Sequence, residues 1–159
     1  MNKAMKTGII NMTYRLGVCL LLTIGLTACD KVPANGNLDG MWQLMSVETP
    51  DSISPKQAER LYLSFQLGMT YWTRQGKGER FFSHFTHTRD SIIFYDLCFP
   101  AQHSFADPDD HLVSPDTIRA GVLDIWGIHT ADMRYAVQTL TSGNLVLEKA
   151  DTLLRFRKF

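Results

Sequence analysis

Leu61-Tyr62-Leu63-Ser64-Phe65-Gln66-Leu67 is the stretch that decides the fold class. Leu61, Leu63, Phe65 and Leu67 alternate with Tyr62, Ser64 and Gln66. A period of two sends the apolar set to one face of a strand. Tyr71 and Trp72 open a second aromatic run, which ends at the Gln75-Gly76-Lys77-Gly78 turn. Phe81 to Thr88 and Ser91 to Phe99 follow, separated by a tight break at Arg89-Asp90. Late in the chain Met133, Tyr135 and Val137 alternate with Arg134 and Gln138. Ser142-Gly143-Asn144 is a hairpin turn into Leu145-Val146-Leu147, and Lys149-Ala150-Asp151 precedes a last run from Thr152 to Phe159. Short strands joined by Gly, Asn and Asp predict an antiparallel meander, closed as a barrel or folded as a sandwich. No long helix-period segment lies between the strands, which argues against a parallel α/β sheet.

Three segments depart from this pattern. Ser54-Pro55-Lys56-Gln57-Ala58-Glu59-Arg60 has a capping Ser, Pro at the first helical position and helix formers behind it. It predicts one short helix after the first strand. Residues 100–121 are rich in Pro and Asp and long for a connection, so they form either an ordered functional loop or a mobile one. Val122-Leu123-Asp124-Ile125-Trp126 alternates again and is expected to be a further strand.

At 159 residues the chain has room for one domain. The formal net charge is zero, but it mixes two segments. Lys3, Lys6 and Arg15 are the only charges in the first 28 residues; without them 13 basic residues face 16 acidic ones, a net charge of −3. A mildly acidic domain lacks the basic field that nucleic-acid binding requires.

The N-terminus reads as basic residues, then an uncharged run from Leu16 to Leu26, then small residues at Thr27 and Ala28 before Cys29. The run falls short of the ~18–20 residues needed to span a bilayer and has the length of a signal-peptide core. Leu26-Thr27-Ala28-Cys29 resembles the bacterial lipobox, in which the cysteine is lipidated and becomes the first residue after cleavage. Met12 is an alternative start that leaves the resemblance unchanged. The resemblance implies a signal peptide over residues 1–28, a membrane contact through lipid on Cys29, and a domain outside the cytoplasm on the inner or outer membrane of the bacterial envelope. Residues 29–37 read as a short lipidated tether and 38–159 as the folded domain. With Cys19 discarded and Cys29 lipidated, Cys98 stands alone as a small buried residue, and no disulfide forms within the mature chain.

Gly40-Met41-Trp42 heads the domain and Arg155-Phe156-Arg157-Lys158 closes it. A Gly-x-Trp near the start with a late arginine resembles the lipocalin and fatty-acid-binding superfamily. There the Trp closes the barrel floor and the arginine packs across its indole. The chain as a whole is similar to the lipocalin-like lipoproteins of Gram-negative bacteria. They share the lipobox, a Leu-x-Gly-x-Trp start (Leu38 to Trp42) and a close of the type Leu140-Thr141…Leu145-Val146-Leu147…Phe156-Arg157-Lys158. The resemblance implies an all-β, up-and-down barrel of about eight strands. It also implies a barrel-closing pair of Trp42 and Arg157, with Arg155 as the other choice. The lipocalins' second motif and their long C-terminal helix have no counterpart here.

Catalytic and metal chemistry find no constellation in the sequence. His84 and His87 are three apart in a strand, hence on opposite faces, and read as surface or rim residues rather than metal ligands. Asp107-Pro108-Asp109-Asp110-His111 lacks the spacing of a calcium loop. Ser104 and Ser114, near His103 and His111, sit in no nucleophile elbow. Gly76-Lys77-Gly78 is too short for a phosphate loop. No enzyme activity and no cofactor are expected. The aromatic residues remain. Phe65, Trp72, Phe85, Phe94 and Tyr135 are candidates either to line a pocket for a small apolar ligand or to pack the barrel solid. An open interior of ~300 Å³ or more would mark a ligand binder, and a filled one an interaction module acting through its loops.

Overall fold

The computed structural model of the protein describes residues 34–99 and 111–159. The expected signal peptide, Cys29 and the Asp107–Asp110 cluster lie outside the described residues. Of the expected tether, Asn35 to Asn37 are folded. Gly36–Leu38 form a 3-10 turn, the Asn35 amide donates to the Asp39 carboxylate at 3.0 Å, and Leu38 is fully buried.

Ten strands follow: β1 (Gly40–Thr49), β2 (Ser52–Pro55), β3 (Leu61–Gln66), β4 (Met69–Arg74), β5 (Arg80–His87), β6 (Ser91–Phe99), β7 (His111–Leu112), β8 (Arg134–Leu140), β9 (Asn144–Lys149) and β10 (Thr152–Lys158). β1, β3, β4, β5, β6, β8, β9 and β10 pair in sequence, and β10 returns to β1, closing an eight-stranded antiparallel barrel. Closure removes the open edges that a flat sheet exposes. Outside this circuit, β2 lies on the far end of β1 and β7 on the end of β6.

Period two places Trp42, Leu63, Phe65, Trp72, Phe85, Phe94, Tyr135, Leu147, Leu154 and Phe156 together in the buried core. Burying an aromatic or aliphatic side chain of this size contributes about 1.5–3 kcal/mol relative to exposure. Leu67 departs from the alternation: its φ is +51° in the β3–β4 turn and it is 78% exposed. The strand ends one residue sooner than the apolar pattern suggests.

Two other expectations are corrected. The helix read at 54–60 is absent. Ser54 and Pro55 are strand residues paired with Val47 and Ser46 of β1, and only Gln57–Glu59 make a 3-10 turn, ended by Arg60 at φ +55°. The end of β1 had bonding groups to satisfy, and this segment met them. Pro55, which lacks an N–H, sits on an outer strand where that loss is tolerated. The strand read at 122–126 is absent too: Asp124–Trp126 is a 3-10 turn between Gly121 and Gly127, both at positive φ. The one short α-helix among the described residues, α1 (Pro115–Arg119), has Ser114 as its cap, the hydroxyl accepting from the Thr117 amide at 3.1 Å.

Candidate functional site at the barrel mouth

The antiparallel path gives the barrel two unlike ends. At the floor lie the start of β1, the turns β3–β4, β5–β6 and β8–β9, and the end of β10. Trp42 is fully buried there, its indole N–H donating to the Leu38 carbonyl at 2.7 Å. The cation over its ring is Lys158, with Nζ 5.0 Å from the centroid. The expected partner, Arg157, is instead paired in register with Gln43 on the outer face, and its guanidinium is 3.5 Å from the Gln43 amide oxygen. The alternative, Arg155, bonds Glu48 at 2.8 Å and holds that carboxyl below its ordinary range. The reason is parity. Phe156 faces inward, so Lys158 does as well, and Arg155 and Arg157 do not. Gly40 makes room: its φ is +111°, and a Cβ there would stand 3.1 Å from Lys158 Cε.

At the other end, the mouth, come the β4–β5 hairpin, the end of β6 and the crossover to β8. The described crossover is drawn into the core: Val113, Ile118, Leu123, Trp126 and Ile128 are all buried. Gly127 seats it, because a Cβ there would meet Val47 at 2.7 Å and Leu154 at 3.1 Å. Trp126 reaches in, its ring 5.3 Å from that of Trp72 and edge-on.

The aromatic residues read as possible ligand lining come together as one packed cluster. Phe65 lies 5.1 Å from Phe85 and 6.0 Å from Phe94, and Phe94 lies 5.0 Å from Trp72 and 6.0 Å from Tyr135. Each is at most 4% exposed. These edge-on and tilted contacts are the arrangement that aromatic quadrupoles favour. Trp72 satisfies its indole N–H on Ser83 Oγ at 3.1 Å. Phe85, not Phe82, belongs to this inner cluster; Phe82 is paired across Tyr71 and Cys98.

Open space lies at the rim instead. A cleft of about 540 Å³ runs between the β4–β5 hairpin, the end of β6 and the crossover. Phe81 and Phe99, with rings 4.9 Å apart, make one wall. Val122 and Ile125 face them, and Arg74, Glu79 and Arg80 supply the charge. This size lies within the range of small-molecule sites. Sequence reasoning missed Val122 and Ile125 as site residues because it took their alternation for a strand. It missed Arg74 and Arg80 because no motif marks them.

His84 and His87 are not among the residues that line the cleft. His84 stacks on Tyr95 at 5.6 Å and lies 3.6 Å from Asp96 on the exposed face. His87 is half-buried, its Nε2 has no hydrogen-bond partner among the described residues, and burial lowers its pKa. Cys98 is buried, its thiol 3.2 Å from the Asp96 carbonyl. Ser114 serves as the α1 cap.

A family model described as a lipocalin-like domain matches residues 22–159. The chain belongs to that family. Among solved structures, this lipocalin-like chain is similar to a lipocalin-like protein from Bacteroides uniformis ATCC 8492, at 22% identity and a TM-score of 0.56, over 78% of this chain and 100% of that one. It is also similar to an uncharacterized protein from Bacteroides eggerthii DSM 20697, at 21% identity and a TM-score of 0.54, over 77% of this chain and 99% of that one. Likeness at this level shows the fold. Comparison with curated proteins finds no match.

Proposed function

We propose that this lipocalin-like protein is a non-enzymatic binder of a small, largely apolar molecule, held on the bacterial envelope by lipid on Cys29. The observation that carries the reading is the mouth cleft of about 540 Å³ walled by Phe81, Phe99, Val122 and Ile125. Apolar walls with a few polar groups are the usual make-up of a small-molecule site, and the lipocalin-like family supports a binder by analogy of fold. The ligand therefore sits at the rim, against Val122 and Ile125, rather than among Phe65, Phe85 and Phe94.

Native mass spectrometry of protein taken directly from cells tests this, since a tight ligand co-purifies. Added ligand at a hundred times its dissociation constant stabilises the fold by ~2.7 kcal/mol, read as a rise in melting temperature. A broad apolar panel giving neither co-purified mass nor a thermal shift overturns the reading.

A second reading has its own support. The aromatic cluster fills the barrel with its own side chains, which suits an interaction module working through its loops. That reading stands if the panel fails.

A further inference from the structure

We infer that the ligand of the mouth cleft carries an anionic group and that Arg80 receives it; this rests on the reading of that cleft as the binding site. Three charged side chains line the cleft, and two of them cancel. The Arg74 guanidinium lies 2.5 Å from Glu59 and 3.3 Å from Glu79, so it is already neutralised. Arg80 has no carboxylate partner among the described residues. It is an exposed lining residue of the cleft at the start of β5, and Phe81 and Phe99 supply the apolar wall of the same cleft.

A neutral ligand in this cleft would strip water from Arg80 and return nothing, which is a net cost. An anion restores the loss, and a guanidinium fork matches a carboxylate, sulfonate or phosphate ester in a bidentate arrangement. The net charge of −3 expected for the chain after Cys29 repels anions at long range, so recognition must come from this local cation. The hairpin leaves space for such a head group: a Cβ at Gly78 would meet nothing within 4 Å. The chemical class is an amphipathic organic anion, its charge at Arg80 and its apolar body against Phe81, Phe99, Val122 and Ile125.

A matched pair of probes tests the charge alone. 8-Anilinonaphthalene-1-sulfonate and N-phenyl-1-naphthylamine share an apolar body and differ by the sulfonate. Both are titrated by fluorescence against the protein as cells make it, held in phosphatidylcholine nanodiscs, with empty nanodiscs as the blank. The sulfonate should bind at one site at least tenfold more tightly than the amine. Arg80→Gln should bring the sulfonate down to the affinity of the amine and leave the amine unchanged. Arg89→Gln, at the floor end, should alter neither, and Phe99→Ser should weaken both. Equal affinities that Arg80→Gln does not disturb overturn the anion assignment while leaving the cleft as the site. Binding of neither probe above the blank, or binding that Phe99→Ser does not touch, overturns the cleft reading itself.

Discussion

Lys158 Nζ stands 5.0 Å over the Trp42 ring and donates to the Asn37 carbonyl at 2.9 Å, tying the last strand to the turn that precedes the first. Trp42 and Lys158 are direct cross-strand partners on the inward face. The floor is thus closed by a ring, a cation above it and a backbone carbonyl holding the cation in place.

Trp42→Ala should cost about 3–5 kcal/mol, as the loss of a buried aromatic does. Lys158→Met keeps the stem but removes the charge, and should cost about 0.5–2 kcal/mol. Arg157→Met should cost less than Lys158→Met. Urea unfolding of the three variants checks this, and an arginine variant weaker than the lysine variant would reverse the assignment.

Thr70 is fully buried on β4, and its hydroxyl has no hydrogen-bond partner among the described residues. A buried unpaired hydroxyl costs about 1–3 kcal/mol, and Thr→Val is close in shape. Thr70→Val should therefore raise stability, by about 1 kcal/mol. A fall in melting temperature would mean that the hydroxyl has a partner, such as a buried water.

His87 gives the fold a pH dependence of known sign. Burial lowers its pKa from the ordinary 6.5, so the unfolded chain binds its proton more readily. The stability concerned is complete above the unfolded value and is lost as the pH falls through it to the lowered folded value. The melting temperature should drop between pH 7.5 and 5.5, and His87→Gln should flatten that drop. Glu48, held low by Arg155, acts with the same sign but below its ordinary 4.5. A wild-type profile flat across pH 5.5–7.5 would contradict the half-buried placement of His87.

The lipid anchor has a direct test. Cys29→Ser should leave an unprocessed precursor and remove acyl-chain mass from the N-terminus, read by mass spectrometry of the membrane fraction. An unmodified mature chain in the soluble fraction of cells carrying the native sequence would end the proposal.

Period two is a local property, so the sequence by itself determined most of the strands, their turns and hence an antiparallel meander. Closure into a barrel was implied by the resemblance and shown by the pairing of β10 with β1. Leu61 to Phe65, the Gly76-Lys77-Gly78 hairpin and Ser142-Gly143-Asn144 all read correctly, because turn chemistry and alternation act within a few residues. Choices between partners were legible only in three dimensions. Ser54-Pro55 and Ser114-Pro115 carry the same helix-start signal. The first became strand because the free end of β1 lay beside it, and the second became α1 because Thr117 supplied the capped amide. Val122 to Trp126 alternates like a strand, yet the mouth of the barrel drew Leu123 and Trp126 inward, and a 3-10 turn presents both to one side. The cation over Trp42 and the lining of the mouth cleft were decided in the same way. Inter-strand register and the path of a crossover depend on burial summed over the whole barrel, and no short window of sequence contains that sum.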